Sequence, residues 1–317
     1  MDYGHKQTDV MLQNLEKRIQ KVYAQAARET EEKLNKHLSA YKVKYNKKLA
    51  DLKSGKITHA EFLRWNQGQI MTGKRWQEMR DSLATDLVNK DSIALSIINE
   101  HTPEVYALNH NYGTFEVEKG SMLDTSYTLY DRQTVERLLR NDPQLIPMPK
   151  LDRNKDLRWN KSRFNTGIMQ GILQGESIQK MAKRVALGMS NSDMKAAIRN
   201  ARTATTGAEN AGRLDSYARA EHMGISVNKR WLAVMDGRTR DSHRELDGEE
   251  VSYDEEFSNG LMYPGDPNGE PGDVWNCRCT MIADVGQGKG DFWDNRHNDA
   301  LGDMTYEEWK HEHGMDG

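Results

Sequence analysis

Apolar residues recur four, three and four positions apart through the first fifty residues. Leu15, Ile19, Val22 and Ala26 begin the series, and Leu34, Leu38, Tyr41, Tyr45, Leu49 and Leu52 continue it, with Lys and Glu between them. That spacing puts one apolar stripe on an α-helix of about 40 residues, and a helix that long cannot cover its own stripe. It therefore needs another helix. The series ends at Lys53-Ser54-Gly55-Lys56, and its heptads are too irregular for a coiled coil. Thr58 and Glu61 have capping-box spacing, which predicts a second helix. Phe62, Trp65, Trp76, Met79, Leu83 and Leu87 would turn toward the first. This helix is expected to run to about Asn99 and to stop before Thr102-Pro103, because the residue ahead of a proline avoids the helical region. Residues 1–100 thus read as a long helical hairpin.

Residues 101–150 read as a mixed linker region, with a short strand in 112–121 and a short helix in 131–141. Pro143, Pro147 and Pro149 mark its end. Residues 151–225 read as a helical connector in three segments, 160–175, 176–189 and 192–224. Ser190 or Ser192 would cap the last segment, and Gly224 would end it. The texture then changes. Val227 to Met235 reads as a strand, with Trp231 and Ala233 on one face and Leu232 and Val234 on the other. The turn Asp236-Gly237 closes it. Residues 249–257 give a second strand, and 259–273 an irregular loop with Pro264, Pro267 and Pro271. A final strand over 278–285 completes a small αβ module at 226–285. Residues 286–317 read as an acidic, flexible tail with one short helix near 305–313. The fold class expected is α+β: a mostly helical N-terminal two-thirds, then a small αβ module with a few short strands.

With 36% hydrophobic and 29% charged residues, the chain is too polar for one thick core and too rich in Trp, Tyr, Leu and Ile for general disorder. No run of about 18 apolar residues occurs, so no membrane span is expected. The N-terminus lacks the basic-then-apolar layout of a signal peptide, which argues against a disulfide framework. The first 50 residues carry 11 Lys and Arg against 6 Asp and Glu, whereas residues 241–317 carry 5 against 20. A basic body with an acidic end suits a nearby polyanion, contact between the two parts, or simply solvated faces.

The only two cysteines, Cys277 and Cys279, stand one residue apart. The segments "KRWLAVMDGRTRDSHRELDGEEV" and "YPGDPNGEPGDVWNCRCTM" around them resemble the signature of the phage Mu F-like minor head proteins, or head-morphogenesis proteins. The matching positions are Asp236, Arg238, Thr239, Arg240, His243, Leu246, Gly248, Pro264, Asn276, Cys277, Arg278 and Cys279. The preceding helix, with Arg202-Thr203, is similar to the Arg-Thr helix that leads into this module. The resemblance covers about residues 165–285. Members often carry Glu after the Arg-Thr pair; here Ala204 follows, and Glu209 is not assumed to replace that acid. The resemblance implies a non-enzymatic virion protein. It would associate with the portal and other capsid or scaffold proteins inside the head, pass through the host cytoplasm during assembly, touch packaged DNA non-specifically, and have no membrane partner.

The residues themselves leave three readings of the cysteines. In the first, both thiols point to one face as small buried groups, Arg278 turns toward Asp236 or Asp247, and His243, Arg238 and Arg240 tie loop carbonyls to the strands. This reading is preferred, and it requires no cofactor. In the second, Cys277, Cys279 and His243 ligate Zn²⁺, with Asp236, Asp241, Asp247 or His222 as a fourth donor. In the third, His243 activates a cysteine nucleophile in a hydrolase or transferase. Elsewhere, Lys155, Arg158, Lys161, Arg163, Lys180, Lys183 and Arg184 form a candidate DNA-facing set, to be weighed against a solvated helix face. Trp293 and Trp309 are candidate partner anchors or local packing. His297, His311 and His313 are expected at the surface.

Overall fold

The structure is a computed structural model that describes residues 2–69, 73–125, 128–142, 145–146, 149–285 and 299–315. It is an α+β protein. Nine α-helices among the described residues are α1 (Tyr3–Lys53), α2 (His59–Gln67), α3 (Lys74–Ser121), α4 (Arg132–Asn141), α5 (Arg153–Leu173), α6 (Ile178–His222), α7 (Asp241–Glu245), α8 (Pro271–Val274) and α9 (Tyr306–Glu312). Three strands are β1 (Val227–Leu232), β2 (Glu250–Ser252) and β3 (Thr280–Val285). No helix among the described residues is long and apolar enough to cross a membrane.

The chain divides into two compact units that interleave along the sequence. One comprises Lys17–Ile97 and Lys150–Ile198. Its core is the stripe of α1 (Ala26, Leu34, Leu38) against Trp76, Leu83 and Leu87 of α3, Phe164, Ile168 and Ile172 of α5, and Met181, Val185 and Met189 of α6. The period-3.6 pattern is thus realised, but two further helices share the contact. Thr58 caps α2 with the full capping box to Glu61. The indole of Trp76 donates to Asn165 at 2.9 Å, so the buried ring keeps its polar edge satisfied.

The other unit comprises Met1–Glu16, Ile98–Pro149 and Arg199–Gly317. Three expectations fail here. First, α3 does not stop before Pro103. The proline removes one helical hydrogen bond, but the Asn99 carbonyl it would have served accepts from the Thr102 hydroxyl at 3.4 Å. Burial of Val105, Tyr106, Asn109, Thr114 and Val117 then outweighs the break. The residues expected as a strand at 112–121 are therefore helix. Second, residues 176–189 and 192–224 are one helix, α6, without a cap at Ser190, which is itself buried. Gly188 inside it costs only about 1 kcal/mol relative to Ala. Its end is as expected: Gly224 has φ +86°, and Ile225 N–H reaches back to the Ala220 carbonyl at 3.0 Å. Third, residues 299–315 are not a loose tail. Trp309 and Tyr306 of α9 are buried against Phe115 and Tyr112 of α3. Trp293 and His297 lie outside the described residues.

Helices α3 and α6 cross at glycines. A Cβ on Gly212 would sit 2.4 Å from the Tyr106 carbonyl oxygen, so only glycine permits this approach. Val105, Tyr106 and Val117 of α3 and Ala208, Ala211 and Tyr217 of α6 then share a core with Val227 of β1 and Met281 of β3. The sheet is antiparallel in the order β2-β1-β3, with Trp231 opposite Met281. β1 ends at Leu232, three residues short of the expected Met235.

Candidate functional site

The site forms where β1 runs out. Trp231, the last inward residue of β1, is fully buried. It meets the rings of His243 and Phe257 edge-on, with centroids 5.5 and 5.1 Å away. The chain turns through Asp236 to Arg240, and the single turn of α7 then directs His243 inward. Gly248, at φ +81°, allows the reversal into β2, and its N–H donates to the Trp231 carbonyl at 2.9 Å. Leu246 is buried beside these rings.

Cys277 and Cys279 arrive from the other side, on the extended residues just before β3. Both are free and buried. The Nδ1 of His243 lies 3.6 Å from Cys277 Sγ and 3.4 Å from Cys279 Sγ. The Cys279 N–H points at Cys277 Sγ from 3.4 Å. The other ring nitrogen of His243 is 3.7 Å from Asp273 Oδ1. The two thiols are unequal. Cys279 is lowered to about 5, first by the hydrogen bond from Cys277, against burial, and further by His243. Cys277 is pushed well above the ordinary thiol range by donating that hydrogen bond and by burial. A proton shared by two sulfurs beside an imidazole can support thiolate chemistry or metal ligation. No substrate-sized opening reaches it, since His243, Cys277 and Cys279 are each no more than 2% exposed.

Arg278, between the cysteines, points the opposite way. Its two terminal nitrogens hold both oxygens of Asp236, at 2.6 and 2.7 Å. That pair keeps the Asp236 carboxyl far below the usual carboxylate range, together with the Arg238 N–H at 2.8 Å. The Thr239 hydroxyl donates to the Val234 carbonyl, and Arg240 donates to the Trp275 carbonyl. Two assigned contacts differ. Arg238 makes no tie to a loop carbonyl; its side chain is 74% exposed and lies 3.5 Å from Asp236. His243 faces sulfurs rather than carbonyls. Of the suggested fourth ligands, Asp236 is held by Arg278, Asp247 accepts from the Ala233 N–H, Asp241 is 94% exposed, and His222 bonds the Ala218 carbonyl.

Sequence reasoning missed what holds this loop in place. Thr203, Thr206, Asn210 and Arg213 occupy one face of α6 and bind the backbone of residues 276–281 in order. Thr203 Oγ1 accepts from the Asn276 N–H at 2.8 Å, and Thr206 Oγ1 donates to the Cys277 carbonyl at 2.8 Å. Asn210 accepts from the Met281 N–H at 3.0 Å and donates to the Pro264 and Cys279 carbonyls. Arg213 donates to the Met281 carbonyl at 2.8 Å. These bonds hold Asn276 at φ +57°, a left-handed conformation that asparagine tolerates. The available signal was four polar residues at helical spacing in an Ala-rich helix. Lys229 was also missed: buried on β1, it donates to the Tyr253 and Met262 carbonyls at 2.9 and 2.7 Å. Burial lowers its amine to about 8. Ala204, directly after the Arg-Thr pair, is buried. Glu209 instead accepts from Thr280 Oγ1 and contacts His5, both at 2.8 Å.

The candidate DNA-facing set separates. Arg163 is held by Asp193 at 2.6 Å, Arg184 by Glu176 at 2.9 Å and Lys161 by Asp81 at 3.1 Å. Lys155, Arg158, Lys180 and Lys183 are not part of those pairs. His311 is exposed, whereas His313 is half-buried, its ring centroid 4.3 Å from that of Trp309.

Over 284 residues the chain is 28% identical to minor head protein GP7 of Bacillus phage SPP1, covering 87% of this chain and 84% of that one. It is also 26% identical over 279 residues to the NAD(+)--arginine ADP-ribosyltransferase EFV of Enterococcus faecalis (strain ATCC 700802 / V583). That similarity covers 84% of this chain but 55% of the transferase. No solved structure matches. Residues 162–282 match the family described as Phage Mu protein F like protein, a span that holds the second half of α5, α6, β1, β2, the start of β3 and the Cys/His cluster. That segment, with its Asp-x-Arg-Thr-Arg and Cys-x-Cys signature, is similar to the phage Mu F-like family.

Proposed function

We propose that this chain is a minor head protein of a phage or prophage, without enzymatic activity, that acts in head morphogenesis. In this reading it sits inside the head near the portal, contacts the portal and other capsid proteins, and supports packaging or delivery of DNA. The observation that carries the proposal is the extent of the similarity to a minor head protein, most of both chains rather than the Mu F-like segment alone. The transferase shares its similarity with largely the same residues, yet nearly half of its length lies outside the match. The burial of Cys277, Cys279 and His243 supports a fastening role, since no substrate atom reaches the sulfurs. Lys155, Arg158, Lys180 and Lys183 are the side chains assigned to non-specific DNA contact.

The test is co-expression with the portal and major capsid proteins of the same phage, followed by purification of portal rings and heads. Recovery of the chain with both supports the proposal. Recovery with neither overturns it. Transfer of labelled ADP-ribose from NAD to arginine by the purified chain would establish the enzyme instead.

A further inference from the structure

We infer that His243, Cys277 and Cys279 are a zinc site that locks the two halves of the Mu F-like module, independently of any contact with the portal. These are the three metal-ligating side chains that converge in the buried core of this module among the described residues. Their spacing has the dimensions of a coordination shell. With metal–sulfur bonds of about 2.3 Å and metal–nitrogen bonds of about 2.0–2.1 Å, tetrahedral geometry sets each nitrogen–sulfur edge near 3.6 Å. The observed edges are 3.6 and 3.4 Å.

Both sulfurs face Nδ1 of His243, and the three donor atoms lie within 4.8 Å of one another. A divalent ion accepts the nitrogen and both sulfurs together. The remaining groups are placed as zinc sites require. Asp273 stands 3.7 Å from the far nitrogen of His243, on the side where a carboxylate fixes the ring with Nδ1 toward the metal. That far nitrogen is a buried polar atom without a hydrogen-bond partner in the structure, so closing on Asp273 would satisfy it. The Cys279 N–H aimed at Cys277 Sγ supports a thiolate there. Arg278 is turned outward to Asp236 and leaves the sulfurs free. A solvent oxygen enclosed with the metal would complete the fourth position.

Binding would displace the proton shared by the two sulfurs and add a tie between α7 and the segment before β3, beside the bond from Arg240 to the Trp275 carbonyl and the Arg278–Asp236 pair. The test uses the full chain, purified, given one equivalent of zinc and dialysed against metal-free buffer. Expected are close to one zinc per chain and an X-ray absorption spectrum with two sulfur neighbours near 2.3 Å. Cobalt(II) in place of zinc should give thiolate-to-metal charge-transfer absorption, lost in Cys277→Ser/Cys279→Ser. Asp273→Asn should keep the site but release zinc to a chelator about 10- to 100-fold more readily. Folded wild-type protein that retains no zinc, or holds it without sulfur neighbours, would overturn the inference. Should the cysteine variant fail to fold, the wild-type cobalt spectrum decides.

Discussion

Replacing Trp309 tests whether the C-terminal helix is part of the fold or an appendage. The ring is fully buried. It packs on Phe115 and Tyr306, with centroids at 5.9 and 5.6 Å, and its indole N–H donates to Glu118 at 2.6 Å. An aromatic side chain of this size buries about 150–250 Å², and at about 25 cal/mol per Å² that is worth roughly 4–6 kcal/mol. Trp309→Ala keeps the small methyl contribution, so its packing loss falls at about 3–5 kcal/mol. Glu118 also loses a donor, although the Thr125 N–H still reaches it at 3.0 Å. Trp309→Phe separates the terms, since it keeps a ring and removes the hydrogen bond, for a loss of about 1–2 kcal/mol. Because α9 is short, the loss is expected first as local undocking, before global unfolding. Amide hydrogen exchange of residues 306–312, read by mass spectrometry, measures it directly. Protection in the wild type, partial loss in Trp309→Phe and near-complete loss in Trp309→Ala are expected. Equal, unprotected exchange in all three proteins would refute the docking of α9.

Gly212→Ala places a methyl 2.4 Å from the Tyr106 carbonyl oxygen. It should destabilise by about 1–3 kcal/mol in urea unfolding, despite alanine's better helix propensity. Burial works against a charged His5, but Glu209 at 2.8 Å outweighs it and raises the imidazole above its usual 6.5. The raised value means that this pair contributes fully below about pH 6.5 and loses its contribution as pH rises through the folded value. Stability measured from pH 5 to 9 should therefore fall on the alkaline side, with a shallower fall in His5→Gln. Charge removal at Lys155, Arg158, Lys180 and Lys183 should weaken non-specific DNA binding and flatten its salt dependence in fluorescence anisotropy. Removal at Arg163 or Arg184, which are committed to Asp193 and Glu176, should instead lower stability.

Periodicity made the helices legible, because burial of the α1 stripe depends on spacing alone: Leu15, Ile19, Leu34 and Leu38 are each at most 2% exposed. Capping chemistry was equally local, as Thr58 and Gly224 show. Punctuation misled where tertiary contacts outweighed it. Pro103 reads as a stop, but the helix around it is buried on nearly every side, and one displaced carbonyl finds a hydroxyl. The cluster of His243 with both cysteines could be suspected from residue types and from the family signature. Its distances could not, because they depend on a turn, a short helix and a loop arriving together. The α6 ladder was hidden for another reason. Thr203, Thr206, Asn210 and Arg213 bind backbone atoms, and backbone acceptors leave no trace in residue identity.

The same ladder bears on why similarity to a minor head protein runs beyond the family segment. Arg213 is wholly buried, and a buried guanidinium without partners costs several kcal/mol. Its partners lie mostly outside residues 162–282. Asp2 holds it at 2.7 Å, Glu116 of α3 lies 3.6 Å away, and Asn109 accepts at 3.2 Å. Glu209, also within the family segment, takes its histidine from position 5. Within the segment, Glu209 stands 3.7 Å from Arg213, so the module supplies one of the acids around this guanidinium. The others come from Asp2, just ahead of α1, and from Glu116 of α3, more than 90 residues upstream of β1. Replacing Asp2 or Glu116 should therefore destabilise the module from outside its own sequence, because it removes an acid from a wholly buried guanidinium.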